Sequence, residues 1–538
     1  MFSDYKKNLS VRSVKLILIT TLTSLIITIL EFISPLLLKN FIDNYHIKNN
    51  IIKPLLIILV IYIFSYFFKI MLNKITNIYS VKFKTREHNQ LLNYMFQMKY
   101  EKLISLEPTY LVEKITNSVN TLFSLYSESI SSILISTMNI ILSISLIIFI
   151  DKFVALILII IIPLNIISYK ILNKKLSDMC IDLQTKCAKS FMNIISITSQ
   201  IDFIKQTAET TNIIKLINPY VSDIHKENAK VSSFARNIST TINDLINILH
   251  SGIYIYAAIS LLTESILLSD FIFINLIISI FFPALNNIVK SNIDLRDLKG
   301  VYNFIEKEIF YNIEESGNLE INSIDEIEFN INKLGYQNLN LIETGYFKAK
   351  PGDIIMISGE SGSGKTTLMK GLVKFINMDI KINGLSINKY KNSAVRNKIL
   401  FFSQTVPIIA GTIKDNILMG DKSKEDILLK LCDKPFLKKF FEFNEGFETK
   451  VLENGSNLSG GDKQKIALAR LFIDDPDVII LDEMTNSIDK SNASIIINDI
   501  INEYKNKIIF FISHDDYIKE YCNKVILIQD KTLQVANQ

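Results

Sequence analysis

The run Gly359-Glu360-Ser361-Gly362-Ser363-Gly364-Lys365-Thr366-Thr367 has the spacing G-x-x-x-x-G-K-[ST]. Glycines at 359, 362 and 364 let backbone N–H groups close around phosphate oxygens. A helix opening at Lys365 turns the positive end of its dipole toward the same anion. Lys365 reaches the terminal phosphates, and the Thr366 hydroxyl is an oxygen ligand suited to Mg2+. Ser361, Ser363 and Thr367 complete the loop. Ile354-Ile355-Met356-Ile357 reads as a buried strand before it, and Leu368 to Leu372 as a helix after it, the context this motif needs. The implied chemistry is binding of a nucleoside triphosphate.

Two further stretches add chemistry to the loop. Val478-Ile479-Ile480-Leu481-Asp482-Glu483 is a continuous apolar strand ending in two carboxylates. Such strands occupy parallel sheets covered on both faces, and ligands bind at their carboxyl ends. Asp482 is therefore expected to hold Mg2+, and Glu483 to orient or deprotonate an attacking water. A second buried strand, Ile508 to Ile512, delivers Ser513-His514, so His514 is placed to contact the γ-phosphate. The plainer alternatives are a helix-capping acid at Glu483 and a structural histidine at 514. Leu458-Ser459-Gly460-Gly461-Asp462-Lys463-Gln464 opens another helix and makes a second anion site from small residues and free N–H groups.

The elements that must position these residues fall in two halves. The expected fold class is a six-helix all-α transmembrane domain followed by an α/β P-loop ATPase domain, with residues 1–310, a linker over 311–325 and a second domain over 326–538. The chain has 538 residues, 49% of them hydrophobic, and a mean hydropathy of +0.27. Long apolar stretches concentrate before residue 290. A membrane-crossing helix needs about 20 apolar residues, and six stretches qualify: Val14–Leu38, Ile52–Leu72, Ile130–Ile150, Phe153–Leu172, Leu245–Leu262 and Phe271–Val289. The first is expected to be a retained helix rather than a removed signal. The second and third, and the fourth and fifth, are joined by long Lys-rich connections of helical pattern. Together with Lys6, Lys7, Arg12 and Lys15, these place the N-terminus and both connections in the cytosol. An even number of crossings then leaves the nucleotide-binding half in the cytosol as well. Net charge is +4, too balanced to point to nucleic acid. The four cysteines, Cys180, Cys187, Cys432 and Cys522, form no C-x-x-C pair and read as reduced thiols.

Within the apolar stretches, Glu31 is either turned toward a cavity or partner, or hydrated near the outer interface. Asn139, Asn165, Asn247, His250, Asn275 and Asn286 either line a polar path or hydrogen-bond between helices. Pro163 and Pro283 are expected to kink their helices.

The run Leu458-Ser459-Gly460-Gly461 resembles the LSGGQ signature of ATP-binding cassette (ABC) proteins, with Asp462 in place of the commoner Gln. The P-loop, Asp482-Glu483 and His514 fit the same family in the same order. So do Gln404 after the strand Ile399-Leu400-Phe401-Phe402, and Asp489 in the turn after Glu483. The six-segment half is similar to the membrane domain of an exporter-type half-transporter.

The resemblance implies ATP and Mg2+ as cofactors, with Thr366, Gln404 and Asp482 at the metal and Glu483, Gln404 and His514 in catalysis. It implies Asp489 and an adenine-stacking tyrosine at the nucleotide, Tyr336 or alternatively Tyr346. The signature would complete the P-loop site of another cassette, in a homodimer or a heterodimer with a homologous half-transporter. Coupling segments are expected around Lys102–Val112 and Gln206–Lys215, and Thr449 to Gly455 resembles the loop that senses them.

The function implied is ATP-driven export of an amphipathic substrate (a peptide or bacteriocin, a lipid or a hydrophobic drug) by alternating access across a bacterial inner or plasma membrane. The residues before the first segment leave no room for a peptide-cleaving domain, so a peptide cargo would arrive already processed. An importer on the same fold and a non-pumping regulatory ABC protein are the alternatives. A soluble ABC protein acting on nucleic acid is disfavoured by the six apolar stretches.

Overall fold

The computed structural model describes residues 2–43, 52–206, 210–336, 339–431, 445–484 and 490–537. The chain divides into two compact units. One comprises Met1–Met98 with Lys102–Ile313, the other Lys99–Glu101 with Glu314–Gln538.

The first unit is all helical among the described residues. Its helices are α1 (Phe2–Asp43), α2 (Ile52–Phe96), α3 (Tyr100–Leu106), α4 (Pro108–Ser124), α5 (Ile130–Ile148), α6 (Lys152–Thr198), α7 (Ile201–Gln206), α8 (Thr210–Leu262) and α9 (Leu268–Phe304). Five described spans are long and apolar enough to cross a membrane: Phe2–Asp43, Leu56–Phe96, Pro108–Ile148, Thr210–Leu262 and Leu268–Ile288. The fourth expected stretch falls on α6, where the described apolar run is the shorter Lys152–Pro163.

The helices extend well past the apolar stretches. α2 continues from the membrane stretch through Lys-rich sequence to Phe96 without a proline or glycine to stop it. The polar connections are thus continuations of the spanning helices. The tight link between the third and fourth stretches is set by Asp151. Its carboxylate caps α6 by accepting from the N–H groups of Phe153 (2.8 Å) and Val154 (3.2 Å). Pro163 and Pro283 lie inside the continuous helices α6 and α9. A core of Phe273, Ile277, Ile278 and Phe281 on α9 with Ile147, Val154 and Leu158 holds the apolar end together. A second core joins Tyr5 and Leu9 to Leu111, Ile115 and Leu122.

The two segments expected to couple the halves hold short helices, α3 and α7. Residues 207–209 of the second segment lie outside the described residues.

The second unit is built on a six-stranded sheet. Its order is Thr532–Asn537, Lys524–Gln529, Ile354–Gly359, Ile508–Ile512, Val478–Asp482, Ile399–Phe402. All pairings are parallel except that of the outermost hairpin, Lys524–Gln529 with Thr532–Asn537. Val478–Asp482 and Ile508–Ile512 are buried at every position. Each Ile or Phe so buried contributes roughly 1.5–3 kcal/mol, which makes these two strands the fixed centre of the unit. One face covers a core with Ile355, Ile480 and Phe510. The other covers Met356, Ile479, Leu481 and Phe511. A four-stranded antiparallel sheet, Gly345–Ala349, Ile327–Ile331, Ile380–Ile382 and Leu385–Ser386, flanks the first face. Phe329 and Phe347 stack across it with ring centroids 4.2 Å apart.

Register decides what meets at the carboxyl edge. Ile357 pairs with Ile512, Ile512 with Asp482, and Leu481 with Phe402. Gly359, Asp482-Glu483, Ser513-His514 and Ser403-Gln404 therefore leave four adjacent parallel strands along one edge.

Candidate functional site

The loop after Gly359 leads into the helix Lys365–Leu372, whose N-cap is Gly364. Gly364 has φ 99° and a Cβ there would meet Leu341 at 3.1 Å, so both conformation and space call for glycine. Ser361 and Gly362 are exposed, while Gly364 and Lys365 are buried. Ser363 Oγ is buried without a hydrogen-bond partner, a polar atom turned into the loop. The Lys365 ammonium donates to the carbonyls of Gly359 and Glu360 at 2.9 Å each and lies 3.2 Å from His514 Nε2. Burial pulls the Lys365 pKa down, opposed by the charges of Glu483 and Asp482.

Thr366 donates its hydroxyl proton to Asp482 Oδ2 at 2.7 Å. Asp482 is 3% exposed. Burial pushes its pKa up, the Thr366 hydrogen bond pulls it down, and Glu483 raises it again. Glu483 follows with φ 51°, a left-handed conformation that a non-glycine residue adopts only when its surroundings impose it. Its N–H is held by the Ile512 carbonyl at 2.9 Å. That turn aims its carboxylate at two neighbours: Gln404, whose side-chain N–H2 donates to it, and His514 Nε2 at 3.6 Å.

Lys365, Thr366, Gln404, Asp482, Glu483 and His514 thus form one connected cluster, drawn from positions as far as 149 residues apart. The structure places the Gln404 nitrogen on Glu483. Thr366 and Asp482 present oxygen ligands side by side, a donor set that fits a hard cation otherwise held by phosphates and water.

The run 458–464, expected as a second anion site, opens a different helix. Leu458 is buried and anchors the run, while Ser459 and Gly460 are exposed at the start of the helix Gly460–Ile473. Ser459 is its N-cap, in a reciprocal capping box with Asp462. Asp462 N–H donates to Ser459 Oγ at 3.2 Å, and the Asp462 carboxylate accepts from the Ser459 hydroxyl (2.6 Å) and N–H (3.3 Å). A Cβ on Gly461 would meet nothing closer than Ser459 Oγ at 3.9 Å.

Two links tie this helix to its surroundings, and motif reading did not assign them. Gln464, 7% exposed, donates to the carbonyl of Met484, the residue after Glu483, at 2.9 Å. Lys463 donates to the Asn454 carbonyl at 2.9 Å, in the Thr449–Gly455 loop. Both lie within two residues of Asp462, which was the only signal available. Asp489 and the side chain of Tyr336 lie outside the described residues. Tyr346, the alternative, is 57% exposed on the strand Gly345–Ala349.

In the helical unit, Glu31 forms an ion pair with Lys69 of α2 at 2.9 Å. Lys39 near the end of α1 pairs with Asp270 at the start of α9. Asn275 donates to the Phe271 carbonyl of its own helix at 2.8 Å. His250 packs on Phe282 with ring centroids 5.7 Å apart. The side chain of Asn165 lies outside the described residues. Among the described residues no disulfide forms. Cys522 is buried, and burial pushes its thiol up to about 12. Cys432 lies outside the described residues.

A multi-pass helical domain fused in one chain to a P-loop ATPase domain defines an ATP-driven membrane transporter. Comparison with known proteins agrees. A family model described as ABC transporter transmembrane region matches residues 17–285, half of the chain, and one described as ABC transporter matches residues 343–486. The chain belongs to the ABC transporter family, of exporter type, and is an ATPase coupled to transmembrane transport.

Three relatives illustrate its reach. A Rickettsia bellii protein named for export as an ATP-binding/permease protein is 25% identical over 87% of this chain and 82% of its own length. The multidrug resistance-like ATP-binding protein MdlA of Buchnera aphidicola is 26% identical over 89% of this chain and 86% of its own. The sublancin-168-processing and transport ATP-binding protein SunT of Bacillus subtilis is 30% identical over only 44% of this chain and 34% of its own length. The structure of a bacterial Atm1-family ABC exporter with ATP bound shares the fold. Its TM-score is 0.83 at 15% identity, covering 99% of this chain and 95% of that one.

Proposed function

We propose that the chain is a half-transporter that exports an amphipathic cargo by alternating access. Two copies, or one copy and a homologous partner, would supply the second cassette. One observation carries this reading. Lys365, Thr366, Asp482, Glu483 and His514 are gathered at one sheet edge, while Ser459 and Gly460 are exposed at the start of a separate helix. Each cassette thus holds the catalytic half of a site and the phosphate-binding complement of another.

In this scheme the loop N–H groups and Lys365 bind the β- and γ-phosphates of ATP. Tyr336 is assigned to the adenine and Asp489 to the turn beside the phosphates. Thr366 and Asp482, with Gln404, would hold Mg2+, which neutralises phosphate charge when bound. Glu483 orients and deprotonates the attacking water, held in place by Gln404 and its left-handed backbone. His514, between Lys365 and Glu483, is assigned to the γ-phosphate. Ser459 and Gly461 of the second cassette close on the same phosphate and make nucleotide binding a clamp. Closure and release of that clamp are passed through α3 and α7 to the spanning helices. The charge distribution of the connections supports a cytosolic ATPase and N-terminus in a bacterial cell membrane.

The test is Glu483→Gln in the purified full chain reconstituted in liposomes. Removing a positioned general base costs about 10²–10⁴-fold in turnover, with ATP binding retained. Unchanged turnover would refute the assignment.

A further inference from the structure

We propose that the helical unit carries a cargo site for a short, hydrogen-bonding peptide with a basic side chain, and that Glu128 receives the positive charge. This rests on the exporter reading and narrows its broad amphipathic class to the polar, peptide end.

The site is a cavity of about 630 Å3 within the first unit, in the size range of small-molecule sites. Its walls come mainly from one face each of three helical segments, with Asn287 of α9 added. α1 contributes Thr20, Ser24, Thr28 and Glu31, spaced by four, four and three residues, so that they share a face. α2 contributes Lys69, Asn73, Thr76 and Asn77 with the same period. The third wall runs through Ser127, Glu128, Ser132, Ser136 and Asn139. Opposite faces of the same helices are apolar and exposed, as with Leu18, Leu22, Ile63 and Phe67. Such a sidedness within spanning segments puts the hydrocarbon outside and a polar ligand or its water inside.

The third wall contains a local irregularity that fits this use. Between α4 and α5 the chain makes a π-helical turn, Leu125–Ser129. Such turns insert an extra residue and shift the faces of a helix, and they recur at functional sites. Here the turn leaves Tyr126 buried and Glu128 exposed at the cavity wall.

Charge and hydrogen-bonding chemistry select the occupant. Glu31 is neutralised by Lys69 at 2.9 Å, whereas Glu128 has no cationic partner among the described residues. The cavity therefore carries one uncompensated negative charge. Its remaining polar groups are hydroxyls and carboxamides, which both donate and accept. Asn139 Oδ1 is buried with no partner of its own. Thr20 and Ser131 already satisfy each other at 2.5 Å across the gap between α1 and the third wall. A peptide backbone offers alternating N–H and C=O groups to such a lining, and a Lys or Arg side chain answers Glu128. A neutral hydrophobic molecule would leave the carboxylate and the amides without partners, at a cost that opposes binding.

The experiment measures binding without ATP, by isothermal titration of the detergent-purified full chain with Gly-Lys-Gly-Lys-Gly and with the neutral Gly-Gln-Gly-Gln-Gly. The expected result is a preference of about tenfold or more for the lysine peptide, the scale of one charge-assisted hydrogen bond. Glu128→Gln should abolish the preference and Glu128→Asp should restore most of it. Nile red, a neutral hydrophobic probe, should not compete. Equal affinity for the two peptides, no measurable binding of either, a preference that survives Glu128→Gln, or displacement by Nile red would each overturn the proposal. Because no nucleotide is present, failure of the Glu483 assignment leaves this outcome unaffected, and the reverse also holds.

Discussion

Gly461→Ala separates a glycine needed by its own chain from one needed by a partner. Gly461 lies in the first turn of the helix Gly460–Ile473, and an added Cβ there would find only Ser459 Oγ, at 3.9 Å. Its φ is not in the left-handed region. Nothing within the chain therefore resists alanine, and the helix gains from it: glycine costs up to about 1 kcal/mol relative to alanine. In a unit of this size that is a rise of roughly 1–4 °C in Tm. The clamp reading predicts the opposite sign for activity. A methyl group at the point of phosphate approach displaces at least one charge-assisted hydrogen bond, worth about 1.5–3 kcal/mol, and turnover should fall about 10- to 100-fold. The assay is a thermal melt without nucleotide beside steady-state ATP hydrolysis on the same preparation. Turnover within twofold of the parent would refute the clamp. A lowered Tm would show that the glycine answers an internal constraint instead.

Two further outcomes follow from the same geometry. Asp482→Asn removes a buried charge while keeping an oxygen for the Thr366 hydroxyl, so the nucleotide-free protein should melt at an equal or higher temperature while hydrolysis is lost. The accompanying pH test has a definite sign. Because the folded pKa of Asp482 is raised, the native state holds more protons than the unfolded one above the ordinary aspartate range, so this group's contribution to stability falls as pH rises through that window. The difference in Tm between Asp482→Asn and the parent should widen accordingly. Asp462→Ala opens the capping box and should cost about 1 kcal/mol of stability by chemical denaturation, whereas Asp462→Gln, which retains a side chain able to reach the N-cap N–H, should cost less.

Local sequence announced the pieces of this protein far better than their extent. Apolar stretches located the spanning segments because hydrocarbon demands a continuous apolar run. They did not reveal that α2 runs on to Phe96. Past the membrane, helix persistence depends on the absence of breakers and on packing such as Leu91 and Met95 against Leu111 and Ile115, and hydropathy is blind to both. The site divides in the same way. Lys365, Thr366, Asp482 and Glu483 sit in motifs of fixed local spacing, so their meeting at one sheet edge could be expected from sequence. His514 was expected from the strand that delivers it and Gln404 only from family order; their encounter with Glu483 is made by the pairing of four parallel strands. Gln464 escaped altogether: a glutamine inside a helix carries no mark that its amide will reach the Met484 carbonyl. The π-turn at Leu125–Ser129 left no trace in periodicity, since one added residue in a long apolar helix merely rotates the pattern.

The Gln464 hydrogen bond ties the signature helix to the backbone beside Glu483 within one cassette. The signature helix is fixed at its start by Ser459 and Asp462, and one turn later Gln464 grips the backbone directly after Glu483. Glu483 is itself held in a left-handed conformation by the Ile512 carbonyl, and such a conformation persists only while its surroundings enforce it. In the proposed clamp, a phosphate drawing on Ser459 and Gly461 would pull on the same helix whose Gln464 grips the backbone beside Glu483, the residue assigned as general base. Lys463 extends the same helix to the Thr449–Gly455 loop through the Asn454 carbonyl. Under that proposal, occupation of one composite site would reach the residue assigned as general base of the other, as well as the loop assigned to sensing the spanning helices, through two hydrogen bonds on one helical turn.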